Sequence, residues 1–242
     1  MSVRVYGGPE ELSEAAAREF AAMSGEAIEE RGRFVVVLAG GSTPKAMYEV
    51  LARDYADRID WSRVHVFFGD ERTVPPDHDD SNYKMASETL LEHVSVGSIH
   101  RMRGELPPDE AAQAYEGELR AFFRTEEVPR FDLILLGVGG DGHTASLFPE
   151  TAALEIDDRL VVANPVLQRD TTRITLTVPV INAARAVLFL VAGEDKAEAL
   201  QEILEGDPDP RAHPASLIQP PDGSEWMLDQ SAASLLGKSN AS

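Results

Sequence analysis

Apolar runs alternate with amphipathic stretches along the whole chain. Runs without internal polar alternation, which are typical of strands buried on both faces of a parallel sheet, occupy residues 34–41, 64–71, 131–139, 173–181 and 186–193, and a shorter strand pattern opens the chain at VRVYG, residues 3–7. Between these runs, apolar residues recur with the spacing of a helix in the segments 9–31, 44–57, 82–94, 109–126 and 195–205.

This alternation predicts an α/β fold. We expect a three-layer αβα arrangement in which a mostly parallel, Rossmann-like sheet carries helices on both faces. Proline-rich stretches at 104–109 and 206–214 are predicted to be surface connections, because the pattern resumes after each of them. Residues 1–242 are therefore expected to form a single domain, with a mobile tail from about residue 237.

The charge of the chain narrows the range of partners. With 42 acidic residues against 22 basic ones, the formal net charge is −20, which opposes contact with nucleic acid or an anionic membrane. No apolar stretch has the length of a membrane span or the form of a signal peptide, so we expect a cytoplasmic protein that is a monomer or a small homo-oligomer. The absence of cysteine excludes thiolate nucleophiles and thiolate metal sites.

Polar or glycine-rich turns follow several of the predicted strands. They read GGST (40–43), GDER (69–72), GGDGH (139–143) and GEDK (193–196). Ligands of parallel α/β sheets bind beyond the carboxyl ends of the strands. We therefore expect these four turns to converge on one small-molecule site.

The GGST turn has the composition of an anion pocket. Thr43 followed by Pro44 predicts a helix start, with Thr43 as the N-cap and proline at the first helical position. Backbone amides after Gly41, the hydroxyls of Ser42 and Thr43, and the positive end of the helix dipole would meet there, which suits a phosphate. An ordinary capped helix is the alternative interpretation.

The GDER turn offers groups for a polyhydroxylated ligand. Asp70 and Arg72 follow a buried strand, and such side chains form directed hydrogen bonds to hydroxyls or a carboxylate. A solvated charge cluster is the alternative. The nearby DHDD sequence (77–80) lies in a proline-bounded loop without metal-ligand spacing, so we predict neither a metal nor another cofactor.

His143 is the candidate general base of the GGDGH turn. A histidine accepts and returns a proton near neutral pH, and Asp141 is close enough in sequence to orient the ring. The glycine amides at 139–142 are candidate donors to an oxyanion. The alternative is a glycine-rich turn with an incidental histidine. His65 is expected to be a hydrogen-bonded core residue, and the remaining histidines are expected to be peripheral.

Two cations complete the set of candidates. Arg173 opens one predicted strand, and Lys196 lies in the first turn of a helix. Because a lysine is unfavourable at the positive end of the helix dipole, a bound anion would explain Lys196 better than a structural role. A solvent-facing lysine is the alternative.

These motifs together resemble the 6-phosphogluconolactonase family, within the larger group that includes the glucosamine-6-phosphate deaminases. The resemblance rests on GGSTP, GDER with the downstream SNY, GVGGDGHTASLFP, and RITLTVPVINAAR leading to Lys196. It implies metal-independent hydrolysis of 6-phospho-D-glucono-1,5-lactone to 6-phosphogluconate, a step of the oxidative pentose phosphate pathway, with His143 as the base.

The residues permit this chemistry. A lactone is an activated ester, and the chain has neither a G-x-S-x-G elbow nor a cysteine, which fits direct attack by water. On this interpretation the phosphate rests on Gly41, Ser42 and Thr43 beside Lys196 and Arg173. Asp70 and Arg72 would hold sugar hydroxyls or a carboxylate.

Two other functions fit parts of the pattern. An amino-sugar phosphate isomerase-deaminase uses a similar histidine turn, but its glutamate partner aligns with Phe148 here. A non-catalytic sugar-phosphate sensing module would keep the phosphate pocket, but it would need a DNA-binding partner domain, and the sequence offers none.

Overall fold

The computed structural model describes residues 1–237. The predicted mobile tail, apart from Gly237, lies outside the described residues. Within these described residues, ten strands follow one another: β1 (Ser2–Tyr6), β2 (Phe34–Leu38), β3 (Val64–Phe68), β4 (Asp70–Arg72), β5 (Ser98–Ile99), β6 (Leu133–Leu136), β7 (Val161–Val166), β8 (Thr171–Leu176), β9 (Val187–Val191) and β10 (Ser224–Asp229). The α-helices are α1 (Pro9–Arg31), α2 (Ser42–Asp54), α3 (Asn82–Ala86), α4 (Pro108–Phe123), α5 (Val178–Asn182) and α6 (Ala197–Glu205).

A seven-stranded parallel sheet forms the centre of the fold, with the order β1-β10-β9-β6-β2-β3-β5. The strands β2, β6 and β9 are buried along their whole length, as expected for strands covered on both faces. Side chains of α1, α2 and α3 pack on one face, and side chains of α4, α5 and α6 pack on the other. The predicted three-layer αβα fold is confirmed.

A second sheet of three antiparallel strands, in the order β4-β8-β7, lies beside the first. The apolar runs 64–71 and 173–181 were both expected to be single buried strands, and this is wrong. The first run divides into β3 and β4, and the second run ends as β8 at Leu176. Pro179 then falls in the first turn of α5, where its missing N–H has no partner to lose. The strands β5, β7 and β10 were not predicted.

The helix α1 has the predicted bounds, whereas the start of α2 differs from the prediction. Gly41, not Thr43, is the N-cap residue, and Ser42 is the first helical residue. The backbone of Gly41 has a φ of 100°, a conformation that a side chain disfavours. Within residues 1–237, none of the helices combines the length and the apolar character needed to cross a membrane.

Candidate active site

A cleft of about 240 Å³ opens at the carboxyl ends of β2, β3, β6 and β9. The four turns that were expected to converge all contribute to it or to its support. Seven of the predicted residues line it: Gly41, Ser42, Thr43, Asp70, Arg72, His143 and Lys196. The other two predicted residues do not line the cleft but contact or pair with residues that do. Asp141 is hydrogen-bonded to His143, and Arg173 lies opposite Arg72 in the second sheet.

Asp141 holds the imidazole of His143. The Nδ1 atom of His143 makes a hydrogen bond to Oδ1 of Asp141, and the backbone N–H of His143 donates to the same oxygen at 3.2 Å. Because an ionised carboxylate only accepts hydrogen bonds, Nδ1 carries the proton, and the lone pair is left on Nε2. This is the tautomer that a base acting through Nε2 requires.

The charge on Asp141 is also stabilised. Burial by itself raises the pKa of Asp141, but the hydrogen bonds and charge of His143, together with a hydrogen bond from Arg169, lower this pKa far below its ordinary value. Nη2 of Arg169 donates to Oδ2 of Asp141 at 3.1 Å. Asp141 is therefore ionised throughout the neutral range.

The glycines of the GGDGH turn permit close contacts that a side chain would block. A Cβ atom at Gly139 would lie 2.1 Å from Nδ1 of His143, and one at Gly140 would lie 2.8 Å from the carbonyl oxygen of Asp195. Gly142 has a φ of +78° and packs on His213, a histidine that was expected to be peripheral. Because these glycines have no side chains, the turn can fold tightly around the His143–Asp141 pair.

Two amides of this turn are already engaged. The N–H of Gly139 donates to the carbonyl oxygen of His143 at 2.9 Å, and the N–H of Gly142 donates to the carbonyl oxygen of Gly139 at 2.9 Å. The expectation that they could bind an oxyanion is wrong for these two groups, because they close the turn. Of that segment, the amides of Gly140 and Asp141 are left as candidates.

Phe148 and Arg169 contribute to the site although the sequence did not identify them as site residues. The rings of His143 and Phe148 are stacked, and the guanidinium of Arg169 lies 4.9 Å from the centroid of the Phe148 ring. Arg169 comes from the short connection between β7 and β8. No motif in the sequence places this connection beside the GGDGH turn, since the two meet only through the second sheet.

The predicted anion pocket of the GGST turn, which we call the anion cup, lies at the start of α2. Gly41, Ser42 and Thr43 line the cleft, and the first amides of α2 have no partner within the helix. Lys196 lines the same cleft, and its Nζ atom donates to Oδ2 of Asp195 at 2.6 Å. Amide donors, hydroxyls and an ammonium group therefore line the same cleft, which suits a phosphate.

Asp70 is buried and is held from two sides. The hydroxyl of Ser146 donates to Oδ2 of Asp70 at 2.6 Å. Nδ2 of Asn82 donates to the backbone oxygen of Asp70 at 2.9 Å and to Oδ1 at 3.2 Å. The carboxylate of Asp70 is therefore fixed in orientation where it meets the cleft.

Glu71 lies between Asp70 and Arg72, the two predicted substrate-binding residues, and it has a structural role. Its carboxylate accepts hydrogen bonds from the backbone N–H groups of Asn82 and Tyr83 and from the hydroxyl of Ser81. Burial raises the pKa of Glu71, although these hydrogen bonds oppose the shift. Glu71 thus anchors the SNY sequence, and with it Asn82, to the GDER turn.

Arg72 and Arg173 occupy directly opposite positions in the antiparallel pairing of β4 and β8. Nη1 of Arg72 donates to the backbone oxygen of Asp80, whereas the buried Nε atom of Arg173 has no hydrogen-bond partner within the described residues. Burial, and then the charge of Arg72, lower the pKa of Arg173. Two like charges at one sheet position favour an anionic ligand between or beside them.

Within residues 1–237, no three His, Asp or Glu side chains are grouped so that they could hold a metal ion. In the DHDD loop, Asp79 pairs with Lys84 at 2.6 Å, and the amide of Asp80 donates to Nδ1 of His78 at 3.1 Å. These side chains interact with one another and with their own loop.

Comparison with known proteins identifies similar sequences along nearly the whole chain. The family model described as glucosamine-6-phosphate isomerases/6-phosphogluconolactonase matches residues 7–227. A 6-phosphogluconolactonase of Synechocystis sp. is 49% identical over 213 residues, which cover 86% of this chain and 86% of that protein. A 6-phosphogluconolactonase of Haemophilus influenzae is 39% identical and covers 83% of this chain and 87% of its own.

Solved structures of similar fold include both 6-phosphogluconolactonases and a glucosamine-6-phosphate deaminase. The 6-phosphogluconolactonase of Trypanosoma cruzi superposes with a TM-score of 0.87 at 30% identity, covering 98% of this chain and 97% of that one. A monomeric glucosamine-6-phosphate deaminase superposes with a TM-score of 0.80 at 25% identity, covering 97% of this chain and all of that one. The fold is thus shared by two types of enzyme, and the side chains in the cleft must distinguish them.

Proposed function

The chain belongs to the glucosamine-6-phosphate isomerase/6-phosphogluconolactonase family, and we propose that it hydrolyses 6-phospho-D-glucono-1,5-lactone to 6-phosphogluconate. This is a reaction of the oxidative pentose phosphate pathway. One observation carries the proposal: a histidine in the tautomer of a general base lines the same cleft as an amide-lined turn and a lysine. Placement in the cytoplasm, as a monomer or a small homo-oligomer, is still a prediction from the sequence.

His143 acts on water in the proposed reaction. Its Nε2 atom takes a proton as the water oxygen bonds to C1 of the lactone, and the carbonyl electron pair moves to the exocyclic oxygen. The tetrahedral intermediate collapses with cleavage of the bond between C1 and the ring oxygen. The imidazolium returns its proton to the departing oxygen, and Asp141 stabilises the imidazolium between the two transfers.

Phosphate binding orients the sugar for this attack. Gly41, Ser42 and Thr43 supply amide and hydroxyl donors, and Lys196, which lines the same cleft, supplies positive charge. Arg173 adds charge from the strand position paired with Arg72. Since the net charge of the chain is −20, a local concentration of donors and cations is needed for an anionic substrate to bind.

Asp70 and Arg72 are placed to bind the sugar hydroxyls or the carboxylate of the product. Asp70 keeps a fixed orientation through Ser146 and Asn82. Hydrogen bonds from fixed groups discriminate well between ligands, because a missing partner leaves a buried group unpaired. The reaction needs only water as co-reactant.

The deaminase of similar fold is the second candidate, and Phe148 argues against it. A deaminase must move a proton between two carbon atoms, and its turn carries a glutamate beside the histidine at the position of Phe148. In this chain an apolar ring occupies that position and stacks on His143. It offers no second acid-base group, so the pair His143–Asp141 is suited to activating water.

The test is a hydrolysis assay on freshly generated 6-phosphogluconolactone, with the spontaneous rate subtracted. The wild-type protein should accelerate hydrolysis, and a chelator should leave the rate unchanged. His143→Ala should reduce kcat by about 10²–10⁴-fold while still binding 6-phosphogluconate. A wild-type rate equal to the background would refute the proposal, and release of ammonia from glucosamine 6-phosphate would favour the deaminase.

A further inference from the structure

Two buried tyrosines each bind both backbone groups of a single residue near the carboxyl end of a strand, Ala39 just after β2 and Phe68 at the end of β3. The hydroxyl of Tyr48 donates to the carbonyl oxygen of Ala39 at 2.9 Å and accepts from the N–H of Ala39 at 3.0 Å. The hydroxyl of Tyr115 accepts from the N–H of Phe68 at 2.8 Å and donates to the carbonyl oxygen of Phe68 at 3.1 Å. The hydroxyl of Tyr115 also lies 3.4 Å from the carbonyl oxygen of His100, so the two tyrosines share the pair of bonds to one residue but not this additional contact.

Both residues lie where strands stop pairing. Ala39 is one residue beyond the last pair of β2 and β3, which joins Leu38 to Phe68. The strand β5 pairs with β3 only through Ser98 and Ile99, so it ends before it reaches Phe68. Buried N–H and C=O groups need partners, and here a tyrosine hydroxyl supplies both in place of a neighbouring strand.

The two tyrosines reach the sheet from opposite faces. Tyr48 lies on α2 among the side chains of one core layer, and Tyr115 lies on α4 among those of the other. Burial raises the pKa of each phenol, so both hydroxyls keep their proton and can donate and accept at once. Each phenol therefore links a helix to the end of a strand.

The segments that follow these strand ends carry the groups proposed to bind the substrate. Ala39 leads into Gly40 and Gly41 of the anion cup. Phe68 leads through Gly69 into Asp70. A shift in the backbone of Ala39 would move the cup, whereas a shift at Phe68 would move the Asp70 carboxylate.

Asn82 lies between the two segments. A Cβ atom at Gly40 would lie 2.0 Å from Oδ1 of Asn82, and Nδ2 of Asn82 donates to Asp70. The anion cup and the Asp70 turn are therefore in contact through one side chain, but each has its own tyrosine at its base.

We infer that Tyr48 and Tyr115 are positioning residues of the active site: Tyr48 sets the geometry of the phosphate cup, and Tyr115 sets that of the sugar-binding turn at Asp70. Neither tyrosine is among the residues that line the cleft. The inference rests on the proposed function, because it assigns the two turns to the two parts of the same ligand.

Two variants that each remove one oxygen atom test the inference. In Tyr48→Phe, the ring fills its place but the backbone groups of Ala39 lose their partner. We expect the affinities for inorganic phosphate and for 6-phosphogluconate to fall together by about tenfold, while kcat changes less than twofold. In Tyr115→Phe, we expect phosphate affinity to stay within about twofold of wild type while 6-phosphogluconate affinity falls about tenfold.

Tyr55→Phe, at the other end of α2, is the matched control and should change neither affinity. Binding is measured by calorimetry beside the melting temperature of each variant. A loss of stability alone would lower both affinities alike in both variants, and this result would overturn the inference. Wild-type phosphate binding in a folded Tyr48→Phe would overturn it as well. If Tyr48→Phe does not fold, Tyr115→Phe decides by itself.

Failure of the proposed function would give a different result. The wild-type protein would then show no hydrolysis above background, but the two binding affinities would still be measurable, and the contrast between the two variants would still test the positioning roles.

Discussion

The imidazole of His143 stacks on the phenyl ring of Phe148, with 4.2 Å between the ring centroids and 23° between the ring planes. Asp141 fixes one edge of the imidazole through Nδ1, and Phe148 restricts the ring from its face. The orientation of the proposed base thus depends on one polar and one apolar neighbour, and each can be tested separately.

Phe148→Leu should slow the reaction without weakening ligand binding. The leucine fills part of the space but removes the stacked ring, so kcat should fall about 2- to 12-fold, which corresponds to the ~0.5–1.5 kcal/mol of an aromatic pair. The KM for the phosphorylated lactone should not change. Phe123→Leu, which removes an aromatic contact far from the cleft, is the control. A wild-type kcat in Phe148→Leu would mean that the stack has no role in orienting His143.

Asp141→Asn should impair catalysis much more strongly. An amide in place of the carboxylate can donate to Nδ1 and so leave the proton on Nε2, which is the wrong tautomer for a base. We expect kcat to fall by about 10²–10⁴-fold, with 6-phosphogluconate still bound. Asp222→Asn, at an exposed ion pair with Arg130, should have wild-type kinetics. A decrease of less than threefold in Asp141→Asn would contradict the assigned role.

The lowered pKa of Asp141 also predicts how stability depends on pH. Because the folded-state pKa lies below that of the unfolded chain, ionised Asp141 stabilises the fold above the ordinary aspartate pKa of about 3.9. This contribution is lost as the pH falls through the folded-state value. Urea unfolding at pH 5 and 3.5 should therefore show a stability difference between wild type and Asp141→Asn that is smaller at pH 3.5 than at pH 5. A difference that grows on acidification would contradict this.

Lys196→Ala should affect phosphorylated ligands selectively. Loss of a charge-assisted hydrogen bond should raise the KM for 6-phosphogluconolactone about 10- to 150-fold, while hydrolysis of glucono-1,5-lactone, which has no phosphate, keeps its rate. Lys84→Ala is a suitable control, since Lys84 pairs with Asp79 on the protein surface. Equal losses with both lactones would show that Lys196 does not contact the phosphate.

Gly139→Ala should displace the catalytic pair. The new methyl group would overlap His143 and Asp141, and a displacement of about 1 Å can cost about 10² in rate, so we expect a loss of that order in kcat. Gly117→Ala is the control, because a Cβ atom there meets nothing within 4 Å and α4 continues through it. That control should keep its activity and gain about 0.5–1 kcal/mol in unfolding free energy. An active Gly139→Ala would mean that the turn can relax around a methyl group.

Local chemistry explains why the sequence was informative about part of this structure. The strands β2, β6 and β9 are continuous apolar runs, and α1 has apolar residues at helical spacing and a proline in its first turn. These patterns were enough to predict that the first three are strands and that the last is a helix. The convergence of the four turns followed from the geometry of parallel sheets. His143, Lys196 and the cup were found in this way.

The features of the fold and the site that the sequence did not predict depend mostly on contacts between segments that are distant in the sequence. An apolar run such as 173–181 has the same composition whether it joins the central sheet or a second one, and the partners of β8 decide this. Arg169 meets Asp141 only because of the second sheet. Tyr48 and Tyr115 look like ordinary core residues in a helical pattern, and their hydroxyl contacts appear only when the strand ends are in place. The N-cap at Gly41 depends on a backbone angle that the residue type permits but does not impose.

Arg72 and Arg173 place like charges directly opposite each other in an antiparallel ladder, which is destabilising. Within residues 1–237, the buried Nε atom of Arg173 has no hydrogen-bond partner. On the proposed function, a dianion bound beside these arginines offsets the repulsion and stabilises the folded state by an amount that grows with the logarithm of the ligand concentration above its Kd. We therefore expect this protein to resist unfolding and proteolysis better where sugar phosphates are abundant.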